Sequence, residues 1–385
     1  MSVGVLLVGV GGYGQNYLDE VLDRPNEDVY HVAGICDPFL SSSPRSADVI
    51  SRQFPLFSDY GEALASADVN LVVISSPIHT HYGYVKAALQ AGKMVLCEKP
   101  VTLEEKELDD LLETERNSSG VVAVGFQQCY RNDVSALKED ISRGMYGKPL
   151  LLKSLHMMRR GMTYYRRNSW AGKISVHGME IFDSPLSNAC AHDVENMLYL
   201  LGKERTETAV VKSVDARRFK GNPHIENFDA VALSVVTEEN VPLLFYTAHS
   251  IAEKRVGPYN EYRFENGTIR LVDGSYVAYG PDGAVLRDYR PLGEGDRMEK
   301  FFAAIRMASD GTEPACRLCT AYEHMRLVRL AQGPAMRMEA EPVMLDGQEC
   351  YPIPHLTDVF AHCYETESLP DEAMIEKGTS TRRLV

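Results

Sequence analysis

Through the first third of the chain, short apolar runs alternate with amphipathic stretches of helical period. Residues 3–8, 30–36, 71–76, 94–97 and 121–125 are near-continuous apolar segments of strand length. Between and after them, residues 15–22, 81–91, 101–116 and 133–143 repeat apolar positions at helical spacing. Strands apolar on both faces and separated by helices predict a parallel, doubly wound sheet. The second half follows a different pattern. Strands are expected over 150–156, 208–214, 230–236 and 243–249, and again within 262–279. Turn signals at Glu265-Asn266-Gly267 and Pro281-Asp282-Gly283 separate the later ones. That pattern predicts a largely antiparallel, open sheet covered on one face by helices such as 189–201 and 298–309. The expected class is therefore α/β. Residues 1–127 form a doubly wound domain, 128–340 a second α/β domain, and 341–385 a Pro-, Glu- and Thr-rich extension with one short helix near 357–364 and a loose tail.

The 385 residues exceed one compact core. A net charge of −14, with no long basic run, argues against a nucleic-acid or anionic-membrane partner. No apolar stretch has the length of a membrane span, and the N-terminal run lacks the basic leader and cleavage site of a signal peptide. Several of the eight cysteines sit inside apolar runs, as reduced core residues do, and a cytoplasmic location is expected. Cys316 and Cys319 have metal or redox spacing without a second Cys/His pair nearby, so no metal is expected.

The first apolar run leads directly into Gly9-Val10-Gly11-Gly12-Tyr13-Gly14, then a helix, then a strand ending in Asp37, 23 residues after Gly14. This is a dinucleotide-binding fingerprint in its strand–turn–helix–strand context. Gly9 permits the turn, Gly11 and Gly12 admit a pyrophosphate, and Gly14 lets helix pack on strand. Asp37 is placed to accept hydrogen bonds from ribose hydroxyls and to repel a 2′-phosphate, so NAD is favoured over NADP. Arg45 is the one nearby cation that keeps NADP in play. Three further segments lie where ligands meet such a sheet or share one helix face. They are Ser76-Pro77-Ile78-His79-Thr80-His81, Glu98-Lys99-Pro100 and Asn188-Ala189-Cys190-Ala191-His192.

In these segments, with Ala91-Gly92-Lys93 and Gly144-Met145-Tyr146-Gly147-Lys148-Pro149 in matching order, the chain resembles the Gfo/Idh/MocA oxidoreductases. The resemblance covers roughly residues 1–330. It implies a Rossmann domain, an open-faced α/β domain, NAD as cofactor, and homodimers or homotetramers formed through the open sheet. It implies Lys99 as the family's catalytic lysine and His192 as the histidine of its D-x-x-x-H motif. This chain has Asn188 in place of that Asp, and Cys129 where many members have Arg. Gly9, Gly11, Gly12, Tyr13, Gly14, Asp37, Ser76, Pro77, His81, Glu98, Lys99 and Gln127 are the expected cofactor contacts.

Chemistry at these positions supports hydride transfer at a secondary hydroxyl of a sugar, sugar acid or cyclitol. Histidine accepts a hydroxyl proton near neutral pH, and a lysine ammonium stabilises charge on the same oxygen. The segment 158–173 gathers cations, tyrosines and the single Trp. Arg159, Tyr165, Arg167, Asn168 and Trp170, with Asn188, are the expected substrate contacts, because aromatic faces pack on sugar rings and Arg forks bind hydroxyls or carboxylates. Two other outcomes use the same residues: a redox-neutral glycosidase working by transient C3 oxidation, and a non-catalytic sugar–NAD sensor.

Overall fold

The computed structural model describes residues 2–293 and 297–378. They divide into two compact units, one of residues 2–131 with 297–322, the other of 132–293 with 323–378. Residues 379–385 of the expected extension lie outside the described residues.

The first unit is a six-stranded parallel sheet of β1 (Val3–Val8), β2 (Tyr30–Cys36), β3 (Leu56–Phe57), β4 (Leu71–Ile74), β5 (Met94–Cys97) and β6 (Val122–Val124). The strand order is β3-β2-β1-β4-β5-β6. Chain order therefore reverses beside β1, where doubly wound sheets bind ligands at the carboxyl ends of their strands. All six β1 residues and all four β4 residues are buried, because helices cover both sheet faces. The helix expected over 101–116 begins at Glu105. Pro100 precedes that stretch, and Thr102 Oγ1 accepts from the Glu104 amide and donates to Glu107, which holds residues 101–104 in a turn. The helix Glu299–Asp310, read from sequence as part of the second domain, belongs to this unit. Its Met298, Phe301, Ala304 and Ile305 complete the apolar core with Tyr17, Tyr30, Val5 and Leu7. Cys316 lies ahead of the helix Leu318–Leu330, and Cys319 lies in its first turn.

The second unit holds a long sheet and two short hairpins. Its strands are β7 (Pro149–Met158), β8 (Ser175–Val176), β9 (Met179–Glu180), β10 (Val211–Lys220), β11 (Ala230–Thr237), β12 (Pro242–Ala248), β13 (Arg255–Phe264), β14 (Gly267–Val272), β15 (Ser275–Tyr279), β16 (Val285–Asp288), β17 (Met336–Arg337), β18 (Val343–Leu345) and β19 (Gln348–Cys350). Nine of them form one sheet, β16-β15-β14-β13-β7-β12-β11-β10-β17, antiparallel except at β7–β12 and β10–β17. The β14–β15 turn is Asp273-Gly274 with both φ positive (50° and 82°), the pair a two-residue hairpin of this twist requires.

The register sorts side chains between two covered faces. On one, His156 of β7 stands beside Thr247 of β12. On the other, Leu155, Met157, Leu244, Tyr246, Ala248 and Phe219 form a core with Leu356, Val359, Phe360 and Cys363. The sheet is open as expected, with edge strands β16 and β17, and on this second face the helix Leu356–Thr366 of the C-terminal extension lies across its centre. The physical reason is the apolar stripe Leu356, Val359, Phe360, Cys363, whose helical spacing matches the apolar alternation of the strands beneath. Lys153, buried on this face, donates to the Tyr364 carbonyl at 3.1 Å, and its ammonium lies over the Tyr364 ring. Phe360 is fully buried between Phe219 and Tyr246. Phe360→Ala is expected to cost about 3–5 kcal/mol, the usual range for a deleted core aromatic. Urea unfolding at fixed protein concentration measures it.

Candidate functional site

In the first unit the sequence-predicted cofactor residues gather at the carboxyl edge of β1, β4 and β5. A Cβ on Gly9, whose φ is +79°, would stand 2.7 Å from the Ser76 backbone, and one on Gly14 would stand 2.3 Å from the Gly9 carbonyl oxygen. These two glycines are required by packing. Gly11 and Gly12 differ: a Cβ on either would meet nothing within 4 Å. The loop thus presents bare backbone to open space, beside a helix start that no side chain caps. Backbone without side chains at a positive helix end is a cradle for a diphosphate.

Asp37 closes the loop from the tip of β2. Its Oδ2 accepts from the Val10 amide and its Oδ1 from the Phe39 amide, each at 2.7 Å. Each oxygen keeps a lone pair for a ribose hydroxyl. Arg45 is fully engaged elsewhere, with Nη1 on Asp19 (2.7 Å), Nη2 on Asp23 (2.7 Å) and Nε on Asp48 (2.6 Å). The one nearby cation that could have held a 2′-phosphate is neutralised by three carboxylates, which fits NAD. Asp37→Ala removes a ribose acceptor and a loop brace together, so NAD affinity is expected to fall about ten- to a hundredfold. NADP affinity should fall less, because repulsion of the 2′-phosphate is lost as well. Fluorescence titration with both dinucleotides reads the difference.

Ser76 Oγ bonds Thr80 Oγ1 at 2.6 Å, and Pro77 sets the start of the helix Ile78–Gln90. His81 is buried between two carbonyls, with Nε2 at 2.8 Å from Ser76 O and Nδ1 at 2.9 Å from Pro100 O. It fastens the loop after β4 to the loop after β5. Burial holds its pKa below the ordinary histidine value despite both carbonyls. Glu98 is buried and ion-paired with Lys300 of the helix Glu299–Asp310. Tyr17 donates to the same carboxylate oxygen at 2.6 Å, and burial and that charge push its phenol well above its ordinary range. The Lys300 ammonium reaches Tyr13 Oη at 3.0 Å, and Tyr13 donates to Gln127 Oε1 at 3.2 Å. Tyr13, Glu98 and Gln127 are thereby joined through Lys300, a residue the sequence reading did not single out. Lys99 follows on a half-buried step of the chain, between Glu98 and Pro100.

In the second unit, Asn188 and His192 are half-buried while Ser187, Cys190, Ala191 and Asp193 around them are buried. The i, i+4 pair therefore shares the accessible side of this turn. Asn188 Nδ2 donates to Asp183 at 2.9 Å. A carboxylate only accepts, so the amide nitrogen must face Asp183 and the amide oxygen must point away from it. Asp193, next to His192, bonds His156 Nδ1 at 2.6 Å and anchors the helix Ala191–Leu201 on β7.

The expected substrate segment is partly structural. Asn168 Oδ1 caps the amides of Trp170 and Ala171, and Arg159 is ion-paired with Asp346 and donates to the Ala252 carbonyl. Tyr165 is buried, its hydroxyl 3.2 Å from His249 Nδ1. Arg167 is exposed and stacked, 3.5 Å from the Tyr164 ring centroid and 4.8 Å from that of Trp170. Arg160 covers the other side of this cluster, 4.8 Å from the Tyr164 ring. Burial and the charges of Arg160 and Arg167 hold His249 well below the ordinary histidine range. Arg160 and Tyr164 belong to the segment read from sequence without being among its expected contacts, and His249 lies outside that segment.

A four-glycine loop against an acidic strand tip, in a sheet of order 3-2-1-4-5-6, defines an NAD-binding Rossmann unit. Residues 3–126 match the family model described as oxidoreductase family, NAD-binding Rossmann fold. Over this first third, the chain is thus similar to the Gfo/Idh/MocA oxidoreductases. It is 27% identical over 177 residues to an inositol 2-dehydrogenase/D-chiro-inositol 3-dehydrogenase of Lactiplantibacillus plantarum, covering 46% of this chain and 50% of that protein. It is 25% identical over 281 residues to the inositol 2-dehydrogenase of Burkholderia multivorans, covering 71% and 75%. The match thus spans half the length of the first of these relatives. In fold it is similar to the WlbA dehydrogenase of Chromobacterium violaceum, solved with NADH and UDP-GlcNAcA, at a TM-score of 0.70 and 16% identity over 86% of this chain and 92% of that one. Among the described residues, no helix is long and apolar enough to cross a membrane.

Proposed function

We propose that the protein is an NAD-dependent dehydrogenase acting on a secondary hydroxyl of a sugar, sugar acid or cyclitol, with Lys99 and His192 as its acid/base pair. The observation that carries this reading is the open Gly11-Gly12 backbone braced by Asp37, on the same sheet edge as the Glu98-Lys99-Pro100 loop. Inositol dehydrogenases among the relatives support the class of substrate. Bound NAD supplies a hydride acceptor at nicotinamide C4. His192 then takes the hydroxyl proton, and Lys99 donates a hydrogen bond to the substrate oxygen. Asn188, its amide turned by Asp183, offers an oxygen to a neighbouring hydroxyl. All eight cysteines are free, in keeping with a reducing, cytoplasmic setting.

The test is NADH formation by the purified protein with NAD and a panel of sugars, sugar acids, cyclitols and glycosides, with released sugar assayed in parallel. Steady NADH from one class supports the dehydrogenase. Glycoside cleavage that needs NAD but accumulates no NADH replaces it with the redox-neutral glycosidase. NAD binding with neither product replaces it with a sensor.

A further inference from the structure

A cavity of about 560 Å³ opens in the second unit where β7 ends and β13 begins. Its volume falls in the range of small-molecule sites and exceeds what a bare inorganic anion needs. Four cations line it against one carboxylate: Arg159, Arg160, Lys254 and Arg255 against Asp346. In a chain of net charge −14 this is a local reversal of sign. The cations are arranged in depth. Arg159 and Arg160 are half-buried, whereas Lys254 and Arg255 are exposed at the rim.

Arg159 is already committed, to Asp346 and to the Ala252 carbonyl. It serves as a strut that holds the hairpin. Arg160 is not committed in the same way: its Nε is buried and has no hydrogen-bond partner among the described residues. A guanidinium N–H withdrawn from water and left without an acceptor is costly unless a ligand oxygen meets it. Arg160 also faces the Tyr164 ring, which ties the cavity to the aromatic cluster of Tyr164, Tyr165 and His249.

The outer wall comes from the hairpin β18–β19, where Leu345, Asp346, Gln348 and Cys350 line the cavity. The wall is fitted closely: a Cβ on Gly161 would stand 2.7 Å from Gln348 Oε1 and 3.1 Å from Cys350 Sγ. The C-terminal extension therefore supplies four of the ten residues that line this cavity, besides covering the sheet.

We infer that this cavity is an anion subsite that selects substrates carrying a phosphate or carboxylate on a monosaccharide-sized body. The inference rests on the carbohydrate-oxidoreductase reading above. Both groups present paired oxygens that accept two hydrogen bonds from an Arg fork, whereas a neutral hydroxyl satisfies one N–H and no charge.

Isothermal titration of the full-length protein with a hexose 6-phosphate, a hexuronate, inorganic phosphate and a neutral hexose tests it. One of the sugar anions is expected to bind at least tenfold more tightly than both the neutral hexose and inorganic phosphate, and to weaken as salt rises. Arg160→Gln should weaken that anion about ten- to a hundredfold and Arg255→Glu about tenfold, with the neutral hexose unchanged. Arg255 is exposed, so its variant keeps the test valid if Arg160→Gln fails to fold. Tighter hexose phosphate assigns a sugar phosphate, and tighter hexuronate a sugar acid. Equal binding of neutral and anionic sugars, inorganic phosphate binding as tightly as either sugar anion, or anion binding indifferent to both variants would overturn the subsite. NADH formation from a neutral sugar without anion binding removes the subsite and leaves the dehydrogenase. Anion binding with no NADH from any sugar does the reverse.

Discussion

Replacing Lys99 with Met is expected to lower NADH formation about a thousandfold while leaving NAD affinity within a few-fold. Removing a positioned proton donor costs roughly 10²–10⁴ in rate, and loss of charge stabilisation on the reacting oxygen acts in the same direction. The proposed contacts of the dinucleotide are other groups, namely the glycine loop, Asp37 and the helix start. A kcat that collapses while dinucleotide titration stays unchanged therefore separates a role in chemistry from a role in binding. The bland alternative, a surface loop with an adjoining ion pair, predicts almost no change in kcat. Glu98 is bonded to Lys300 and Tyr17, so the ion pair in this loop is complete without Lys99. His192→Ala is expected to match Lys99→Met in size.

A large stability effect is expected at Lys300, equal in size to that of Phe360→Ala. Its side chain is fully buried and that of Glu98 nearly so. Lys300→Met leaves the Glu98 carboxylate buried with only the Tyr17 hydroxyl, and is expected to cost about 3–5 kcal/mol. Glu98→Gln should cost a comparable amount, since it strands the ammonium. Exchanging both, as Glu98→Gln with Lys300→Met, removes both charges and is expected to recover much of the loss. Denaturant unfolding of the three variants gives the coupling directly. Additive losses would show that the two charges act independently. Because Lys300 also meets Tyr13 Oη, the single variant should weaken NAD as well, through the loop that carries Tyr13.

The first unit was highly legible because its elements are local. Strands β2 and β5 lie at the expected residues, 30–36 and 94–97, since continuous apolar runs bounded by turns leave one reading. The glycine loop was legible because positive φ and close backbone approach demand glycine at fixed spacing. The carboxyl-end loops follow from the parallel sheet. The helix Glu299–Asp310 was read correctly as a helix and assigned to the wrong unit, because an amphipathic stripe states that a face is buried and not what covers it. The same limit applied to the extension. The short helix near 357–364 was foreseen, but its seat on the sheet depended on matching two apolar surfaces far apart in sequence.

The sequence by itself determined the parallel sheet, the glycine loop, the acidic strand tip at Asp37 and the positions of Lys99, Asn188 and His192 in their local frames. Each depends on residues within a few turns of one another, where backbone sterics and periodicity act directly. Only the tertiary structure decided that Lys300 is the partner of Glu98, that Asp183 orients Asn188, that Arg45 is neutralised, and that the extension turns four scattered cations into one cavity. Those outcomes rest on charge and shape complementarity between distant segments. Such pairings leave no period in the chain, because any of its 54 acidic side chains could have met any of its 40 basic ones until packing chose.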